Sequence, residues 1–395
     1  MKKITFLFCV IVTTLFSWPG NTFFSDESRQ IILNGEYNFS NSWSGTVWSS
    51  CWARRYGKLE LKAEHLIVPV ESEAFESGNY LLNLYVNRGD FGQKKPAPIT
   101  FIINGIFGEP ESGLVKQVGQ QLIERGHHII ALGNPLGTWG LKQKPLYTIA
   151  NFVQESEAYL SIMDEAKKWY EKRGLFSGEV NIVGISYGGF VAGIIKSLDS
   201  RRGRPLINGM ATLLSPPLEM GPALRNMDHV LFETASLGKL PDWALAIVSL
   251  RFCLLPPRRF IDPVQLKWAK AIFGFYGFQR SLADSTILIS DLYGIGDIPT
   301  GRRERKLWRR TFTFSHYIEE YASDLGELMD SDEGRLYYWL DQIPASEYRI
   351  FASSDDPLNE EVPWRLQENT FLVDYGGHYG LRAFKYFDEF LYSIF

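Results

Sequence analysis

Val180-Asn181-Ile182-Val183-Gly184-Ile185-Ser186-Tyr187-Gly188-Gly189 reads as a short apolar strand that breaks at a glycine, passes through one serine and enters a helix over about 188–199. A turn that sharp leaves no room for a Cβ two residues before or two residues after its apex, and Gly184 and Gly188 stand at those two places. Gly189 lets the helix sit close to the strand. The strain lifts the Ser186 hydroxyl clear of the sheet, and the helix N-terminus behind it favours developing negative charge. In a chain with 35 glycines the spacing G-x-S-x-G arises readily by accident, so its weight comes from the strand-turn-helix context.

Working outward, the same alternation continues on both sides. Apolar runs at 99–103, 128–132, 180–183 and 209–214 are separated by helical stretches near 113–125, 149–173 and 188–199. Short continuous apolar strands between helices indicate a buried parallel sheet with helices on both faces, an α/β class. Upstream, residues 59–70 and 80–86 read as two strands able to pair as a hairpin. Downstream, convincing strands return only at 348–352 and 370–374, before a closing helix over about 381–394. The intervening 218–345 is too long for a loop and must be an inserted subdomain.

A serine hydroxyl is nearly inert at neutral pH unless a base takes its proton and an acid orients the base. Of six histidines, His65, His127 and His128 fall in or beside strand patterns, and His229 and His316 in the insertion. His378 lies in Tyr375-Gly-Gly-His-Tyr-Gly380, directly after the last strand, where glycines free the loop to reach the serine. The order serine, acid, histidine places the acid after the strand 348–352, where Asp355 and Asp356 compete. The frame acid-Pro-apolar selects Asp356 and counting from the strand end selects Asp355; Asp356 is the preferred acid, with Asp355 then supporting it or exposed. An oxyanion needs two backbone N–H donors, and the candidates are Tyr187, after the serine, and Ile106 in the loop Asn104-Gly-Ile-Phe-Gly108. Asn104 either braces that loop or is a plain turn asparagine.

From about 97 to 395 the chain resembles an α/β-hydrolase, with elbow, glycine loop, acid and histidine in family order. The loop 104–108, the Asp355-Asp356-Pro357 pair and the long N-terminal hairpin region resemble the YheT-like esterase branch, although Asn104 stands where many relatives carry histidine. The resemblance implies an eight-stranded, mostly parallel sheet with a large helical cap insertion, and hydrolysis of carboxylic esters through an acyl-serine. Two alternatives stay open: an exported serine peptidase of the prolyl-oligopeptidase type, and a non-catalytic binding protein on the same fold. The expected division is 1–20 as a signal peptide, 21–96 as an extension with the first strands, 97–217 and 346–395 as the hydrolase core, and 218–345 as the cap.

Substrate choice should lie in the cap. Its apolar segments, 243–255 and 266–278, either line an acyl pocket for a small-molecule or lipid ester or pack the cap onto the core. Arg302, Arg303, Arg305, Lys306, Arg309 and Arg310, with Trp308 among them, form the one dense basic cluster. It reads as a solvated helix face paired with Glu304 and the acidic stretch 318–333, or as a peripheral contact for a membrane surface.

The 395 residues, 45% hydrophobic and 22% charged with a net charge of -4, exclude disorder and give no global pull toward nucleic acid. Three scattered cysteines exclude a disulfide scaffold and a Cys-rich zinc site; Cys51 and Cys253 are either a pair or two buried thiols. No P-loop, HExxH or dinucleotide glycine pattern is present, so no cofactor or metal is expected. Lys2 and Lys3 ahead of the apolar run 4–16 match the layout of a secretory signal, and export to periplasm or medium is expected, the alternatives being an uncleaved segment that retains the chain and a buried N-terminal strand. Oligomeric state leaves no mark in the sequence.

Overall fold

The computed structural model describes residues 43, 46–47, 63–70, 74–87, 94–234, 244, 246–248, 250, 263–359, 362–373 and 376–378. The expected signal segment, both Cys51 and Cys253, and the closing helix lie outside the described residues, as does most of 243–255.

Eight strands form one sheet in the order β1-β2-β4-β3-β5-β6-β7-β8. Strands β1 (Glu64–Pro69) and β2 (Asn79–Tyr85) pair antiparallel, as the hairpin reading required, and β2 also runs antiparallel to β4 (His128–Leu132). From β4 onward the sheet is parallel through β3 (Ala97–Ile103), β5 (Phe176–Ile185), β6 (Ala211–Leu214), β7 (Tyr348–Ser353) and β8 (Thr370–Val373). Both faces of these strands are buried, which is why they are continuous apolar runs with no polar alternation.

The pleat divides the core into two layers. Ile102, Ile129, Ala131, Val183 and Ile185 face α1 (Gly113–Glu124), which contributes Leu114, Val115, Val118 and Leu122. Phe101, Ile103, Ile130 and Ile182 face the other way, onto α2 (Phe152–Lys172) and α3 (Tyr187–Ser200). Phe152 and Phe190 meet edge to face at 5.1 Å between those two helices.

Between β6 and β7 every described element is helical: α4 (Met220–Glu233), α5 (Pro263–Ala271), α6 (Arg280–Tyr293), α7 (Arg302–Thr311), α8 (Phe314–Tyr321), α9 (Asp324–Asp330) and α10 (Leu336–Leu340) are its main helices. The stretch Ile272–Gln279, joining α5 to α6, is wound as a π-helix. Extra residues in a helix shift the side chains that follow to a new face, a feature frequent beside functional sites. Asp228 of α4 fixes this assembly internally: its carboxylate accepts from the Phe314 N–H at 2.9 Å and from the Ser315 N–H and hydroxyl at 3.0 and 2.6 Å.

Candidate active site

Ser186 sits at the end of β5 with φ 53° and ψ -124°, the strained conformation the turn demands. A Cβ on Gly184 would strike the carbonyl of Gly188, and one on Gly188 would strike the Ile103 and Asn104 carbonyls, so neither position admits a side chain. Ser186 Oγ lies 2.7 Å from His378 Nε2. On the other side of the imidazole, Nδ1 is 2.9 and 3.1 Å from the two carboxylate oxygens of Asp356. The carboxylate therefore holds the proton on Nδ1, which donates to it and leaves Nε2 free to accept from the serine. All three residues are buried.

The two aspartates have separate partners. Asp356 faces the imidazole and also accepts from the Leu358 N–H at 2.9 Å. Asp355 accepts from the N–H groups of Gly376 and Gly377 at 2.9 and 2.8 Å and from the Ser353 hydroxyl, tying the acid loop to the histidine loop. Burial raises the Asp355 carboxyl above its ordinary range, against those donated hydrogen bonds.

Ile106 and Tyr187 both line the cavity beside Ser186. Asn104 braces the first of these loops: its Nδ2 donates to Glu109 O and Ser112 Oγ, both at 2.8 Å, and its Oδ1 accepts from the Gly105 N–H. The Tyr187 side chain points down into the core, where its hydroxyl donates to Glu155 Oε2 at 2.8 Å. Glu155 has no exposed surface, and burial pushes its carboxyl up to about 8, with the hydroxyls of Tyr187 and Tyr159 pulling the other way.

The cavity has an almost wholly apolar wall. The insertion supplies Met220, Leu224, Met227, Phe273, Phe278, Phe314 and Met329; the sheet side supplies Ile106, Ala150 and Leu358. Phe273, expected to line an acyl pocket or to pack the cap, lines this cavity and also packs against the core, with its ring centroid 6.5 Å from the His378 ring. The side chain of Phe275 lies outside the described residues.

Two contacts had no signal in the sequence. The Thr46 hydroxyl accepts from the His378 N–H at 2.8 Å, and Trp43 meets Phe273 edge to face at 5.4 Å. Both come from a stretch without periodicity, so only the fold could show that it reaches the histidine loop.

The architecture is that of an α/β-hydrolase. No family model and no curated protein matches the chain. Among solved structures it is similar to Est1E from Butyrivibrio proteoclasticus, at 16% identity and a TM-score of 0.36, covering 84% of this chain and 95% of that one. It is also similar to an esterase from Pyrobaculum calidifontis, at 12% identity and a TM-score of 0.45 over 89% and 90% of the two chains. DcsB, solved in complex with a substrate analogue, matches at 11% identity and a TM-score of 0.45 over 84% and 97%. Among the described residues no group of His, Cys, Asp and Glu could hold a metal ion, and no helix is long and apolar enough to cross a membrane.

Proposed function

We propose that the protein is a serine hydrolase of carboxylic esters whose acyl group is apolar. The observation that carries this is the hydrogen-bonded series Ser186, His378, Asp356 opening onto an apolar cavity. His378 Nε2 takes the proton as Oγ attacks the ester carbonyl carbon, and Asp356 stabilises the imidazolium. The oxyanion lies against the N–H groups of Ile106 and Tyr187. Collapse breaks the bond to the alcohol, which leaves with the proton from Nε2; water then repeats the sequence and releases the acid. The resemblance of residues 104–108 and 355–357 to the YheT-like branch supports the same reading.

The cavity favours acyl chains over peptides, since among the described residues its wall presents no charged side chain to hold an amino terminus. Residues 218–345 act as the cap in this reading, and the layout of residues 1–20 supports export. The test is labelling by a fluorophosphonate probe together with turnover of p-nitrophenyl acyl esters and aminoacyl nitroanilides. Ester turnover and labelling that both vanish in Ser186→Ala are expected. Faster cleavage of the anilides would return the peptidase alternative, and no labelling would return a binding protein.

A further inference from the structure

The outward face of α7 takes no part in the site above. Helical spacing sets Arg302, Lys306 and Arg310 in line at i, i+4 and i+8, with Arg303 and Leu307 beside them. Arg302, Arg303 and Lys306 are exposed, and among the described residues no acid lies within ion-pair distance of these three. The pairing expected with residues 318–333 is not what holds Arg309, which binds Asp284 of α6 at 2.8 Å. Leu307 stands 66% exposed in the middle of the cations, and Ile295, in the loop leading to the helix, is 42% exposed. The inner face is anchored: Trp308 packs on Phe312 at 4.4 Å, and Gln279 donates to the Phe312 carbonyl at 3.0 Å. Phe278, one residue before Gln279, and Phe314, two residues after Phe312, belong to the cavity wall.

We propose that this face docks the protein on an anionic phospholipid surface, with the cations on headgroup phosphates and Leu307 entering the headgroup-acyl boundary. The chain as a whole carries a charge of -4, yet residues 302–310 hold six cations against the single acid Glu304. A face kept only for solubility would interleave the signs and would not centre a leucine among them. Cations with an apolar side chain between them are the combination that an anionic bilayer rewards twice, by charge and by insertion. Docking there would also seat the elements bearing Phe278 and Phe314 next to the bilayer.

The test is co-sedimentation of the full chain with vesicles of phosphatidylcholine alone and of phosphatidylcholine mixed with phosphatidylglycerol. Each cation near such a surface contributes about fivefold to partitioning (~1 kcal/mol), so replacing Arg302, Arg303 and Lys306 together by Ala should weaken binding to the anionic vesicles about 100-fold. Leu307→Ala should weaken it several-fold more, high salt should abolish the charge contribution, and far-UV circular dichroism should show both variants folded. Any contribution of the apolar run 4–16 is common to all of these proteins. Equal binding to both vesicle types, or a triple variant that binds like the wild type, would overturn the proposal. So would polyglutamate displacing the wild type while Leu307→Ala binds undiminished, because that pattern assigns the face to an acidic protein. The readout is sedimentation, so it stands apart from whether esters are cleaved.

Discussion

Replacing Glu155 by Gln should remove a pH dependence of stability that this one buried carboxyl imposes. The carboxyl is fully buried and, among the described residues, no cation pairs with it, so desolvation outweighs the hydroxyl that donates to its Oε2 and favours the neutral acid. A rise from the ordinary carboxyl value near 4.5 to about 8 corresponds to about 5 kcal/mol, at ~1.4 kcal/mol per pH unit. The sign follows from proton counting. Below about pH 4.5 folded and unfolded chains both hold the proton and the native state has its full stability; between there and about 8 only the native state holds it. Stability therefore falls as pH rises, and the whole contribution is gone above about 8. Glutamine keeps the shape and the acceptor for the Tyr187 hydroxyl, yet cannot titrate. With ~2.1 cal/mol/K of unfolding entropy per residue, the 395-residue chain shifts by roughly 1.2 °C per kcal/mol. Calorimetric Tm values for wild type and Glu155→Gln, measured from pH 5 to pH 9, should thus diverge by several degrees, toward about 6 °C, with the variant's profile the flatter. Parallel profiles would show that the carboxyl is not held neutral, and would refute the reasoning.

Three further outcomes follow from the site. Asp356→Asn should lower kcat by orders of magnitude because an amide cannot stabilise the imidazolium, whereas Asp355→Asn should cost far less in kcat; steady-state kinetics on a p-nitrophenyl ester would show the reverse ranking if Asp355 were the orienting acid. Thr46→Val leaves the His378 N–H without its acceptor and should lower kcat about tenfold with KM little changed, on the scale of one lost hydrogen bond to a positioned loop. Thr46→Ser should restore the rate. Esters of increasing acyl length should gain up to about fourfold in kcat/KM per methylene until the cavity fills, and Phe273→Ala should move the optimum to longer chains; a flat profile in both proteins would make the aromatic wall mere packing.

Much of this was legible in the residues because the parallel strands are buried on both faces and therefore leave unbroken apolar runs. The run 99–103 became the core of β3, and 209–214 was trimmed only at its N-terminal end. The elbow was legible because its geometry excludes a Cβ at two fixed positions. Asp356 is preferred over Asp355 on the frame acid-Pro-apolar alone, since adjacent residues differ only in which way the chain turns after β7. Glu155 carries no signal in the sequence, being one of several acids in the helical stretch 149–173; only the packing of Tyr187 against it reveals its burial. The π-helical stretch Ile272–Gln279 had no signal, because its winding is set by contacts with the rest of the insertion and not by local propensity.

The contact from Thr46 to His378 has a kinetic consequence. It spans 332 positions of chain, and the one between Ser186 and His378 spans 192, while the parallel pairs at the centre of the sheet are far closer in sequence. Closing such long loops is entropically slow, so the histidine loop should settle after the sheet has formed. During refolding from denaturant, the recovery of fluorophosphonate labelling should trail the recovery of sheet signal, making reactivity of the serine a clock for the last event of folding.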